Sequence, residues 1–194
     1  AYANHCQCEL GEYFVKRDDS ILPDLVSKFR EKQGEREKYY YVTLHVGSGK
    51  DRWHGRKYDD WQEVINNLKN YYPDLLVVQV GAEDDMKLEN IDVDMRNRTS
   101  IHQMVSVIEN AKLHIGIDSF PAHICAATNT PAVIIYGCSY ASITRPWYKD
   151  NDNAKYVLLE SERLSGCSGR ACFKDRCAKN PDGNGPINEI SPKE

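Results

Sequence analysis

His114-Ile-Gly-Ile-Asp-Ser-Phe-Pro-Ala-His-Ile-Cys-Ala-Ala-Thr-Asn-Thr-Pro-Ala-Val-Ile-Ile-Tyr-Gly137 is the stretch whose reading decides the fold. Ile115 and Ile117 read as buried strand, Asp118 and Ser119 as helix-start residues, and Pro121 suits a first helical turn. Residues 132–136 read as a second strand, so the stretch is a strand, helix, strand unit. The exposed amides and positive dipole of such a helix start favour phosphate or carboxylate, and the carboxyl ends of an open α/β sheet form a ligand crevice.

The same alternation extends outward. Residues 21–33 carry an amphipathic helix pattern closed by Gly34, and residues 39–46 a strand rich in Tyr and Val. Tyr58, Trp61, Val64, Ile65 and Leu68 share one helical face, and residues 75–80 form the next strand. Residues 81–85 predict a short helical or irregular stretch. Ser100 predicts a cap for a helix whose Ile101, Met104, Val105 and Ile108 make an apolar stripe. Residues 156–159 fit an edge strand. Strands alternating with helices predict an α/β fold, a Rossmann-like parallel sheet with helices on both faces. The expected division is an amino-terminal segment or linker at 1–20, an α/β domain at 21–164, and an irregular Cys-rich tail at 165–194.

Composition narrows the function. A net charge of −4 over 194 residues argues against a general nucleic-acid binder but leaves room for a local basic pocket on a small anion. No apolar run approaches the roughly 20 residues of a spanning helix, and the amino end has no signal-peptide pattern. The expected location is cytoplasmic, with at most peripheral contact at the inner face of the membrane.

Asp118-Ser-Phe-Pro-Ala-His123, followed by Ala126, Ala127 and Pro131, resembles the donor-site signature of glycosyltransferase family nine, the ADP-heptose lipopolysaccharide heptosyltransferases. Other segments are similar in order: His45-Val-Gly-Ser-Gly with Arg52-Trp53 to the family's phosphate loop, residues 80–85 to its second-strand loop, and residues 98–101 to its donor-side helix start. The resemblance covers residues 39–192 and implies the donor-binding, carboxyl-terminal half of a two-domain GT-B enzyme. It implies transfer of a heptose or similar sugar from a nucleotide diphosphate sugar, ADP-linked by preference, to a glycan or protein acceptor. No cofactor is required for that transfer. The acceptor-activating carboxylate belongs to the amino-terminal half, for which there is no candidate segment before Ile21, so the chain reads as a fragment, as one served by a partner, or as one that does not catalyse transfer. A nucleotide-sensing module without turnover and a GT-B sugar-nucleotide epimerase are the alternatives.

By the same resemblance Ser119, Phe120 and His123 face the donor pyrophosphate, while Asp118 bonds sugar or loop groups, because a carboxylate repels phosphate. Phe120 stands where the family usually has Gly. Asp51 stands where it commonly has Lys, which leaves Lys50 and Arg52 as the cations for the leaving group, with Ser48 and Gly49 adding hydroxyl and backbone contacts. Glu83 or Asp85 is expected at the ribose, and Arg98 and Thr99 beside the base. The plainer readings remain open: capping at Asp118, Ser119 and Thr99, a solvated loop at Lys50 and Arg52, an acidic helix start at Glu83 and Asp85. Cys167, Cys172 and Cys177, with Cys6, Cys8 or Cys138, could hold structural zinc or iron, or remain free thiols, while Cys125 reads as core.

Overall fold

A computed structural model of the chain describes residues 15–47, 58–137, 139–147, 155–160 and 191. Six strands form one parallel sheet: β1 (Tyr41–His45), β2 (Leu76–Gln79), β3 (Val93–Asp94), β4 (Leu113–Ile117), β5 (Ala132–Tyr136) and β6 (Tyr156–Glu160), in the order β3-β2-β1-β4-β5-β6. The helices are α1 (Leu22–Gln33), α2 (Trp61–Tyr71), α3 (Ile101–Glu109), α4 (Phe120–Thr128) and the single-turn α5 (Ala141–Thr144). A parallel sheet needs both faces covered, and β1 and β2 are buried along their whole length.

The two faces differ in chemistry. On one, Val42, Leu44, Val77, Ile115 and Ile117 pack against Tyr58, Trp61 and Ile65. The other face carries two apolar clusters: Tyr41, Leu76 and Val78 with Leu25, Phe29 and Val107, and Ala132, Ile134 and Tyr136 with Val105, Ile108, Ile124 and Cys125. Between them runs a polar column. Alternation puts Thr43 and His45 on this face of β1, and the register sets them against His114 and Gly116 of β4.

Several elements depart from the sequence reading. The edge strand β3 has two residues, too few for a periodic pattern, and α5 has four. Residues 81–85 form turns, within the helical or irregular reading, and β3 inserts a strand between β2 and β4 that the sequence reading lacks. Ile101 is 61% exposed at the first turn of α3, while Ser106 and Val107 are buried, because α3 is covered on two sides by the clusters flanking the polar column. Residues 15–18 lie against that helix: Val15 packs on the α3–α4 cluster, the Asp18 amide donates to His102 O at 3.0 Å, and Arg17 pairs with Glu109 at 2.9 Å. No described helix is long and apolar enough to cross a membrane.

Candidate functional site

Strand order reverses between β1 and β4, and the carboxyl ends of both strands open on the same edge of the sheet, which is where an α/β sheet holds its ligand. His45 ends β1, and Ser119 stands before α4. Ser119 is extended (φ −161°, ψ −178°) and makes no side-chain capping bond. Instead its Oγ lies 2.9 Å from His45 Nδ1. On the far side of the ring, His45 Nε2 lies 3.5 Å from Asp85 Oδ2. Asp85 is buried, and the same oxygen accepts the Ala82 amide at 2.9 Å. Three residues from three segments thus form one polar chain, Asp85, His45, Ser119.

Two glycines make room for it. A Cβ on Gly47 would stand 1.5 Å from Asp85 Oδ1, and one on Gly81 2.0 Å from Oδ2. Gly81 also has φ +139°, a conformation side chains rarely adopt. The carboxylate therefore occupies space vacated by two neighbouring loops.

At the start of α4 the Ala122 amide donates to Ser119 O at 3.1 Å and Pro121 has no N–H, so the Phe120 amide and the helix dipole face an anion there, with the Ser119 hydroxyl beside them engaged with His45. Phe120 is 49% exposed at the rim and His123 is exposed one turn on. Asp118 is buried and accepts from Ser139 Oγ and from Thr144 Oγ1 at 2.9 Å, so it ties α5 to the end of β4. Beneath this layer His114 is fully buried. Its Nδ1 lies 3.0 Å from Thr43 Oγ1, its Nε2 has no partner among the described residues, and burial, with His45 adding like charge, pushes its pKa from 6.5 down to about 3. A Cβ on Gly116 would meet that Nε2 at 2.8 Å.

The β2 side is built around a held arginine. Arg96 forks onto Asp94 at 2.9 and 2.7 Å and donates to Asp85 O at 2.6 Å; the guanidinium holds the Asp94 carboxyl below its ordinary range. Glu83 is exposed and accepts from Asn97 Nδ2 at 3.2 Å. Arg98 is exposed, and the Thr99 hydroxyl is buried without a partner among the described residues just before Ser100, which caps α3 in a reciprocal capping box with Gln103.

The sequence profile of glycosyltransferase family 9 (heptosyltransferase) matches residues 25–175, more than three quarters of the chain. The chain belongs to that family. Lipopolysaccharide heptosyltransferase 3 of Escherichia coli is 36% identical over 98 residues, 46% of this chain and 28% of that protein. A family 9 glycosyl transferase from Veillonella parvula superposes with a TM-score of 0.62 at 14% identity, covering 93% of this chain and 50% of that one. The E. coli heptosyltransferase WaaC, solved with ADP, gives 0.52 at 13% identity, covering 82% and 48%. The chain thus spans about half of these solved family 9 enzymes.

Within the family 9 chain, Asp118, Ser119, Phe120 and His123 gather at one helix start, and Asp85 joins them through His45. Glu83, Arg98 and Thr99 sit along the loop after β2 and the entry to α3. Ser48, Gly49, Lys50 and Arg52 lie outside the described residues, as do Cys6, Cys8, Cys138, Cys167, Cys172 and Cys177. Among the described residues no group of His, Cys, Asp and Glu could hold a metal ion. Cys125 is core: its Sγ donates to Pro121 O at 3.3 Å and burial pushes the thiol up. Asp85 does not present a free carboxylate, being engaged by Ala82 and His45, whereas Glu83 is exposed on that loop, as is Asp84. Sequence reasoning missed His45 and His114 as site residues. His45 heads the segment that resembles the family's phosphate loop, but only the strand register brings it beside Ser119, and His114 inside an apolar strand carries no local signal of its own.

Proposed function

We propose that this chain is the donor-binding half of a family 9 glycosyltransferase, which transfers a heptose or similar sugar from an ADP-linked donor to a glycan or protein acceptor. The observation that carries it is the start of α4 at the strand reversal, with a backbone amide and a helix dipole at the sheet's carboxyl edge and the Ser119 hydroxyl, linked to a buried imidazole and carboxylate, beside them. The relative solved with ADP supports ADP as the leaving group. The donor pyrophosphate would dock on Ser119 and the Phe120 amide, with His123, Lys50 and Arg52 neutralising the charge that develops as the sugar departs, and Ser48 and Gly49 beside them. Glu83 would take the ribose hydroxyls, and Arg98 and Thr99 the base. Asp118 shapes the sugar side through Ser139 and Thr144. The transfer inverts the anomeric carbon without a protein nucleophile, so the acceptor hydroxyl must be activated by a base supplied from an acceptor-side half, carried in the same polypeptide or by a partner.

Titration calorimetry of the chain with ADP, UDP and GDP tests this reading. ADP should bind at one site and more tightly than the other two. His123→Ala should weaken it by about 1–3 kcal/mol, as expected for a charge-assisted contact. Equal affinity for the three nucleotides, or none, would reject it.

A further inference from the structure

A neutral imidazole offers one donor and one acceptor, and the Asp85, His45, Ser119 chain decides which nitrogen is which. Asp85 Oδ2 faces His45 Nε2 at 3.5 Å, and a carboxylate only accepts, so the ring proton belongs on Nε2. Nδ1 is then an acceptor, and the Ser119 hydroxyl at 2.9 Å must spend its proton on it. In that state Ser119 presents only lone pairs toward the start of α4, which an anion's acceptor oxygens cannot use.

Resting on the donor-site reading above, we propose that His45 is a positioning residue that takes up one proton from solvent when a nucleoside diphosphate docks. As an imidazolium it donates from both nitrogens, Nε2 to Asp85 and Nδ1 to Ser119 Oγ. The Ser119 proton is released from the ring and turns to a phosphate oxygen. Both ring nitrogens and the Ser119 hydroxyl then face complementary groups, and the charge gained sits behind the ligand's own negative charge. No bond to carbon or phosphorus changes; one proton leaves the buffer and ends on Nδ1.

The surroundings permit this. From the loop after β2, His45 faces Asp85, whose own carbonyl is held by Arg96, itself paired with Asp94. From β4 it faces Gly116 and His114, and burial keeps His114 neutral, with a pKa of about 3, so it neither competes for the proton nor repels the charged ring at neutral pH. From α4 it faces Ser119, with His123 exposed a turn away and Asp118 engaged by Ser139 and Thr144. Gly47 and Gly81 leave the carboxylate its place.

Calorimetry of ADP binding in buffers of different ionisation enthalpy counts the protons. Wild type should take up more protons per ADP than His45→Gln does, and its affinity should fall as the pH rises. His45→Gln should bind ADP more weakly, with that extra uptake gone and the pH slope flattened; subtraction between variants removes the nucleotide's own titration. Uptake unchanged in His45→Gln but lost in His123→Gln would place the proton on the exposed histidine and overturn the inference. So would ADP binding with no uptake in wild type, an outcome that leaves the donor site standing, whereas absence of ADP binding rejects both. Should His45→Gln not fold, nitrogen-15 spectra of the wild-type histidine rings settle it: His45 must pass from the neutral to the imidazolium pattern when ADP is added, and an unchanged pattern overturns the inference.

Discussion

Gly81 and His114 show how much of this site is set by single residues. At Gly81 a methyl group would meet the Asp85 carboxylate at 2.0 Å and the His45 ring at 3.0 Å, on backbone already at φ +139°. Gly81→Ala should therefore cost about 1–3 kcal/mol in urea denaturation, from strain and overpacking together, and should weaken ADP binding as the Asp85 to His45 contact opens. His114 gives a pH dependence with a definite sign. Its folded pKa, about 3, lies below the 6.5 of the unfolded chain, so the unfolded state takes up the proton first. The stability it preserves is present above 6.5 and is lost as pH falls toward 3, at up to roughly 1.4 kcal/mol per pH unit. Urea midpoints of wild type and His114→Asn, compared at several pH values, should diverge across that window, the variant falling less steeply. Parallel curves would mean that His114 is hydrated or protonated in the folded state.

Among the elements, α3 and α4 begin in opposite ways. Ser100 accepts the Gln103 amide, and Gln103 returns a side-chain bond to the Ser100 amide, so α3 is closed by its own residues. Ser119 makes no such bond and leaves α4 open to a ligand. Ser100→Ala should lose about 1 kcal/mol of thermal or chemical stability with ADP affinity unchanged. Ser119→Ala should do the reverse, losing ADP affinity with little change in stability, because its hydroxyl serves His45 and the anion rather than the helix. The helix starts themselves were readable from Ser, Pro and apolar spacing. Which of them caps itself was not, because that depends on Gln103 folding back in one case and on a histidine 74 positions away in the other.

For the molecule as a whole, ligand and fold are coupled by mass action. A chain that binds ADP only when folded should gain about 2.7 kcal/mol at a hundredfold excess over Kd, seen as a rise in unfolding temperature that UDP and GDP match only at higher concentration. Sugar transfer from an ADP-linked donor should appear only when an acceptor-side half is present, measured as ADP released per acceptor modified. The alternation of strands and helices, the apolar faces and the helix start at residues 118–123 follow from sequence alone, since period and proline positions are local properties. The two-residue β3, the one-turn α5 and the exposure of Ile101 do not, because short elements carry no period and burial depends on what lies opposite. The family motifs bring Ser119 and His123 to light as residues of one segment. Tertiary structure alone decided that Asp85 is occupied, that Asp118 braces α5, and that His45 joins them, because these contacts arise where parallel strands from distant parts of the chain end side by side.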